Sequence, residues 1–594
     1  MSNDVTTSDG GAPMTPPTSR RRALWVATGV AGLTGVVGLA ALGGLAARDD
    51  KSGDAQRVAE NHAAAPQNAS DTGKDGDNQH AEENRRDEEG RDGKDRDKRG
   101  EDRDKRGEER DEHGRVREVP CNDDKLIEAI DLANRDHGGT LKLAPHCVYK
   151  LSFADKKTGT ALPTIRQEIT IKGNDATIKR DSEDAFRLFR VADGGDLTLK
   201  DLTVKDGNAA EFKYGAPPMA PNAQDGSSWS DGKDGKKEEN KKEGEADGGA
   251  LLVERGGSAH LEKVELTRNN AEGNGGAIAN FGRVDLNESS VENNHARRNG
   301  GGIFNIGVLK IKESRINNNT AGENGGGIAN GEGKEEKEKG KEVWVKGRDE
   351  AGTVEIIGRV EGKEIGKTEI ENNRAGKNGG GVFSSGGFVR IFLTSIKNNT
   401  ACENGGGIYA RNTDLDLQKV WVEKNHADRD GGGVYNTGGE KKKEAPYGDQ
   451  KDQKEENERE ATATIADSAV LDNSAGRFGG GIFNGNPDVK IKEGFLESEE
   501  DKDKNKDDNA TLTVRDTEIK NNTALNGGGI FNNEGRVTLT KTRVTKNTAT
   551  DSSKTHRVAG GVFNNKGKVK IDEKTTITNN DPTNCAGTVK DCFN

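Results

Sequence analysis

A short phrase recurs ten times between Gly248 and Val562: an Asn-rich turn, two or three glycines, a β-branched or Leu residue, and often an aromatic-Asn pair. Copies read GGAIAN from Gly275, GGGIFN from Gly300, GGGVYN from Gly431, and GGGIFN again from Gly479 and Gly527. Such self-similarity marks a solenoid, in which each unit buries its apolar face only against its neighbours. The small residue before the branched one gives anchors at Ala250, Ala277, Gly302, Gly327, Gly381, Gly407, Gly433, Gly481, Gly529 and Gly561. Uninterrupted steps run from 25 residues (Ala277 to Gly302) to 27 (Ala250 to Ala277). Longer steps, such as Gly327 to Gly381 and Gly433 to Gly481, contain highly charged insertions.

Within a step the residues alternate with period two, as in VDLNESSVENN from Val284 and VTLTKTRVTKNTA from Val537, broken by Asn, Gly or Asp turns. About three short strands fit in one step. Helical repeats need long stretches of period 3.6, leucine-rich repeats need spaced leucines, and a propeller blade needs roughly 40 residues. The fold class expected is all-β, a parallel β-helix solenoid with about 25-residue coils. With neighbouring coils roughly 4.8 Å apart, the anchors and a few N-terminal coils make a rod about 60 Å long.

The repeated letters acquire places in the coil. Ile303, Ile328, Val382, Ile408, Val434, Ile482, Ile530 and Val562 recur at one position and are expected to stack inward. Strand alternation sends the next residue outward. That residue is Phe304, Phe383, Tyr409, Tyr435, Phe483, Phe531 or Phe563, which predicts an external aromatic stripe with flat faces for a glycan. Asn270, Asn294, Asn319, Asn373, Asn399, Asn425, Asn473 and Asn522 predict a second ladder, in which stacked amides satisfy turn backbone groups.

The GGAI and GGGI copies resemble the repeat of polymorphic membrane proteins, surface β-helices first known from chlamydiae, and the wider group of secreted bacterial right-handed parallel β-helix proteins. The resemblance covers roughly Val119 to the C-terminus and implies a right-handed coil and a cell-surface role. Those membrane proteins also carry an FxxN signature and a C-terminal outer-membrane barrel. Neither a regular FxxN nor barrel strands occur here, so a surface passenger is implied and autotransport is not.

Residues 1–22 read as a signal n-region, in which Arg20 and Arg21 resemble a twin-arginine signal. Residues 23–47 form an uncharged run that serves either as a cleaved signal or as a membrane anchor. Residues 48–118 are charged and nearly free of apolar side chains, so they are expected to form a disordered stalk. The β-helix domain is assigned to residues 119–594, opening with an amphipathic capping helix from Asp123 to Asn134. In an exported chain, sequence proximity pairs Cys121 with Cys147 and Cys585 with Cys592, leaving Cys402 free. The sequence contains no CxxC pair or His-Cys spacing, and no metal or cofactor is expected.

Insertions after Asn330, Asn436 and Asp488 leave the coil at the same point and are expected to form one fringe; that from about Ala210 to Ala246 leaves another corner. A formal charge of −12 with no basic stripe argues against nucleic acid as a partner. One coil departs from its sisters: it carries Asn412-Thr413-Asp414, Asp416, His426, Asp428, Arg429 and Asp430. Two carboxylates could act as acid and base across a sugar, and the Asn-Thr-Asp triplet resembles a polygalacturonase motif. That family's Asp-Asp, Gly-His-Gly and Arg-x-Lys companions are missing from the following coils. The expectation is therefore an exported, non-catalytic cell-surface or secreted protein mediating adhesion or glycan and envelope contact, with a polysaccharide, envelope or host-surface component as partner. The alternatives are a polysaccharide lyase or glycoside hydrolase, in which Asp414, His426, Asp428, Arg429 and Asp430 would carry the reaction, and a plain structural spacer.

Overall fold

The structure is a computed structural model that describes residues 116–211, 244–333, 335–338, 341–344, 351–361, 364–365, 368–438, 461–489, 510–552 and 557–592. Arg20, Arg21, the run 23–47 and the stretch 48–115 lie outside the described residues. The first strand, Val116–Val119, begins within the last residues read as stalk.

The fold is a parallel β-helix. Three sheets of 24, 12 and 10 strands, each built by stacking successive coils, carry it. The coil from Arg283 to Asn305 shows the plan. Arg283–Asn287 and Ser290–Glu292 enter the 24-stranded sheet, His295–Ala296 the ten-stranded sheet, and Ile303–Asn305 the twelve-stranded sheet. The next coil pairs in parallel, position for position: Val284 with Leu309, Val291 with Ile316, Ile303 with Ile328. Period-two alternation turns Val284, Leu286, Val291 and Ile303 into the lumen, where none is more than 1% exposed. The branched residues from Ile303 to Val562 all belong to this central core, as expected from the repeat.

Three corners of this coil use the left-handed region, while the turn at Ile306 and Gly307, which returns the chain to the 24-stranded sheet, does not. These corners are Glu288 (φ 48°), Asn293 (φ 58°) and Gly300 (φ 69°). The first corner is filled by a changing set such as Leu393, Lys419, Asp467 and Lys541, whereas the second is most often Asn, as at Asn293, Asn318, Asn372, Asn398 and Asn521. A side chain there costs about 1–2 kcal/mol. Bonds to the neighbouring coil hold the backbone in place, as when Glu288 N–H donates to Lys312 O at 3.1 Å.

The asparagine ladder runs Asn269, Asn294, Asn319, Asn373, Asn399, Asn425, Asn473, Asn522, Asn547 and Asn580. Its first rung is Asn269; Asn270, expected from the sequence, is exposed and pairs with His295 instead. The doublet is resolved by the corner preceding it, Arg268 at φ 54°, which turns Asn269 inward. Asn425 Nδ2 donates to Ile396 O at 2.9 Å and to Asn473 Oδ1 at 3.0 Å, while its Oδ1 accepts from Asn399 N and Nδ2, both at 3.0 Å. Two further ladders escaped the sequence reading. One links Asn274, Asn299, Asn324, Asn378 and Asn404. The other links Asn280, Asn305, Asn330 and Ser384, then Asn436, Asn484, Asn532 and Asn564.

Outside the lumen, surface charges alternate in sign from coil to coil. His260, Asp285, Lys310, Glu355, Arg390 and Asp416 stand in register on the 24-stranded sheet. His260 Nδ1 lies 3.1 Å from Asp285, Lys310 3.4 Å from Glu355 and Arg390 3.5 Å from Asp416.

The N-terminal end carries the helix Asp123–Arg135, whose Asn122 cap accepts from Lys125 N and whose Leu126, Ile130 and Ala133 are buried in the lumen core. Cys121 is disulfide-bonded to Cys147, and Cys585 to Cys592. Three stretches outside the described residues, within 334–350, 439–460 and 490–509, fall between a strand of the twelve-stranded sheet and the next strand of the 24-stranded sheet. The stretch 212–243 falls between the ten- and twelve-stranded sheets.

Asn425→Ala removes both donors and the acceptor of a fully buried rung. It should lower unfolding stability by about 2–4 kcal/mol, read as a drop in the urea midpoint at unchanged m-value.

Candidate functional site

The coil with unusual acids distributes them over different faces. In Asp414–Gln418, Leu415 and Leu417 point inward, so Asp414 and Asp416 point out from the 24-stranded sheet. Asp414 accepts from Thr462 Oγ1, and Asp416 pairs with Arg390. The corner at Lys424 (φ 54°) then carries the chain to the ten-stranded sheet. There His426 lies with Nδ1 2.7 Å from Ser474 Oγ and Nε2 3.1 Å from Asp428 Oδ1, both side chains about half exposed. Arg429 reaches Glu403 at 4.0 Å. Asn412-Thr413-Asp414 offers no free triplet: Thr413 is buried, its hydroxyl donating to Arg411 O at 2.8 Å.

Asp430 faces inside and is 1% exposed. It accepts from Arg477 Nη2 at 2.5 Å and Nε at 3.2 Å, and from Phe478 N at 3.2 Å. Burial pushes its carboxyl above the usual range, opposed by the Arg477 guanidinium, whose own pKa that bond raises. Asp430 occupies a rung of the ladder that runs through Asn404, and Asn404 Oδ1 is left without a partner there. Asp414 and His426 with Asp428 thus lie on the outer faces of two different sheets, and Asp430 is buried in an ion pair with Arg477. A pair of carboxylates across one sugar requires both on one face.

The aromatic stripe requires a correction. Phe304, Phe383, Phe483 and Phe531 are 0% exposed, Tyr435 2%, Phe563 4% and Tyr409 6%. Alternation does take these rings out of the lumen, since they form a hydrophobic cluster distinct from the central core. Outside the lumen is not solvent here, because the glycine corner and the adjoining loops fold back over them. A Cβ on Gly405 would come 2.6 Å from Ile408 O and 2.7 Å from Tyr409 Cβ. Gly333 (φ 59°) sits against Phe383, where a Cβ would meet Cζ at 2.6 Å. Phe281 meets Phe304 edge-on at 6.0 Å, and Phe478 stacks on Phe531 at 4.5 Å. Asn299 Nδ2 ties the covering loop down by donating to Glu332 O at 3.2 Å. Beneath this roof Phe383, Tyr409, Tyr435, Phe483, Phe531 and Phe563 stack nearly parallel, with centroids 4.5–5.7 Å apart. Burial pushes the Tyr435 hydroxyl pKa well up. These rings build a second core and do not form an open binding surface.

Other rings are open to solvent, and Phe153, at 83%, is more exposed than any on the sheet face. Phe388 is 39% exposed, and Phe392 and Trp421 are partly exposed on the outer face of the 24-stranded sheet. Their signal was present in the sequence: with Val389 and Ile391 inward, FVRIF necessarily turns both phenylalanines out. Near the N-terminal helix, an open cleft of about 370 Å³ is lined by Ile127, Asp131, Phe153, Thr158, Leu162 and Pro163. Free Cys402 lies 3.3 Å from Arg374 Nη2. Among the described residues, no group of three His, Cys, Asp or Glu side chains is placed to hold a metal ion, and no helix is long and apolar enough to cross a membrane.

Fold and sequence together define a parallel β-helix repeat protein. Residues 394–411 match the Chlamydia polymorphic membrane protein repeat. Among curated proteins none matches the chain. Among solved structures, the A-module of the Azotobacter vinelandii mannuronan C-5 epimerase AlgE6 aligns at 14% identity with a TM-score of 0.34, covering 76% of this chain and 94% of that one.

Two outcomes are expected. Tyr435→Ala should cost about 3–5 kcal/mol of stability, measured by denaturant unfolding. His260 lies between Asp196 and Asp285, and its hydrogen bond to Asp196 raises its pKa above the ordinary 6.5, with both carboxylates adding to the effect. A raised folded-state value means the stabilisation is complete below pH 6.5 and fades as pH rises through the folded value. Wild type should therefore exceed His260→Gln in stability at pH 5 by more than at pH 9 in paired unfolding curves.

Proposed function

We propose that this chain is an exported bacterial surface protein whose β-helix makes non-catalytic contact with glycan or envelope material. The observation carrying this reading is the polymorphic membrane protein repeat matched by residues 394–411, within a coil stack that sets its candidate acids on two different sheets and buries Asp430. The name of that repeat supports a surface location. Export rests on Arg20 and Arg21 ahead of the run 23–47, which acts as a cleaved signal or holds the protein at the membrane. No bound cofactor enters this function.

Fractionation of cells producing the full chain should find it outside the cytoplasm, accessible to added protease, and attached to isolated envelopes. The double variant Arg20→Lys, Arg21→Lys should hold it inside. A wild-type chain that stays cytoplasmic, or fails to bind envelopes, refutes the proposal. Depolymerisation of an acidic polysaccharide, abolished by His426→Ala or Asp428→Ala, refutes its non-catalytic part.

A further inference from the structure

Most outward positions on the 24-stranded sheet hold charged or hydroxyl side chains. The middle coils break that rule at the bend between the two strand segments. Strand Phe388–Phe392 lies in register with Asp414–Gln418, placing Phe388 beside Asp414 and Phe392 beside Gln418. Across the bend, Ser395–Lys397 pairs with Trp421–Glu423, placing Trp421 beside Ser395. Ile357 adjoins Phe392 in the preceding coil, and Ala469 adjoins Trp421 in the following one; both are partly exposed. Phe392 and Ile357 lie at the bend, Trp421 and Ala469 follow across it, and Phe388 stands at the far end of its strand beyond Arg390, so the rings of two successive coils form a discontinuous apolar platform spaced along one outer face.

The platform's electrical surroundings limit what it can hold. Arg390 pairs with Asp416 at 3.5 Å, Lys397 with Glu371 at 3.7 Å, and Lys424 with Glu423 at 2.7 Å. Lys419, at the bend itself (φ 52°), carries its ammonium 5.8 Å from the centre of the Phe392 ring. These cations are already engaged within the protein, so the surface offers little net positive charge to an anionic polymer. It does offer the rings of Phe388 and Trp421, and the side of Phe392 that Lys419 leaves uncovered, edged by carboxylate, amide, guanidinium and hydroxyl groups. An uncharged pyranose has the matching form, an apolar C–H face rimmed by hydroxyls that both donate and accept. A protein partner would need a much larger contiguous patch than these few side chains supply.

We infer that the outer face around Phe388, Phe392 and Trp421 is a binding surface for a neutral polysaccharide, with the rings stacking on sugar faces and the flanking Arg390, Asp416 and Gln418 meeting the hydroxyls. This rests on the proposed glycan or envelope contact and gives it a place and a ligand class. It also differs from the sequence expectation, which placed binding on rings that are buried.

The test uses the purified full chain and soluble hexasaccharides: neutral β-1,3-glucan, β-1,4-glucan and N-acetylglucosamine oligomers, beside oligogalacturonate and oligomannuronate. Binding is read by titration calorimetry and by tryptophan fluorescence, in which Trp421, one of four tryptophans, should respond. At least one neutral oligomer should bind, and Trp421→Ala and Phe392→Ala should each weaken it by tenfold or more at an unchanged thermal midpoint. Trp421→Phe should retain most of the affinity while losing the fluorescence response. Neutral binding indifferent to both alanine variants, binding confined to the acidic oligomers, or capture of a protein partner alone would overturn the inference. Undiminished binding of the Phe392→Ala, Trp421→Ala double variant to detergent-extracted, membrane-free envelope glycan would overturn it while leaving the proposed function standing. Failure of wild type to attach would instead remove the proposed function itself.

Discussion

Stacking identical coils obliges every buried polar group to find its partner in the coil above or below. The asparagine rungs meet that obligation at the corners, where strand hydrogen bonding lapses. Each amide donates once along the stack and once to a carbonyl of its neighbours, and it accepts from the coil behind. A valine of similar size would fill the space and leave several backbone groups unpaired, at a cost of about 1–3 kcal/mol each. The aliphatic lumen drives collapse, and the amides fix the geometry in which collapse can occur. Glycine corners, left-handed side-chain corners and the paired short strands all presuppose that geometry.

The two apolar clusters share the load unequally. The lumen is continuous from the N-terminal helix to the C-terminal disulfide loop. The ring stack lies outside it and is sealed by loop segments, including Gly333, Phe478 and Ala559. Gly333 adjoins the insertion that starts at residue 334, and Val489, which also packs on the rings, adjoins the one that starts at 490, so these two insertions emerge beside the cover of the ring stack. Their roots are part of the packing even though most of their sequence is charged.

Much of the fold was legible because repetition converts a weak local pattern into a strong one. The coil period, the inward branched residues, most of the amide ladder and the helix after Cys121 follow from spacing and alternation. The burial of Tyr409 and Tyr435 was not legible, because alternation distinguishes lumen from exterior and is silent about what folds over the exterior. The first corner of each coil was hidden by its varied occupants, such as Glu288, Leu393 and Lys541. The acids of the Asp414 coil looked like a group only along the chain: corners at Lys419 and Lys424 separate Asp414 and Asp416 from His426 and Asp428, and burial sets Asp430 apart. Phe388, Phe392 and Trp421 were passed over because they fall outside the repeated phrase, at positions where copies differ.

A repetitive chain faces a problem of address, since any coil can in principle lie against any other with the same aliphatic and amide contacts. The alternating column from His260 to Asp416 supplies a parity check. Threading that skips one coil sets Asp285 against Glu355, or Lys310 against Arg390, and like charges facing across adjacent strands repel. Skipping two restores opposite signs. The column therefore polices odd errors in coil order and is blind to even ones, so misthreaded forms should differ from the native stack by pairs of coils.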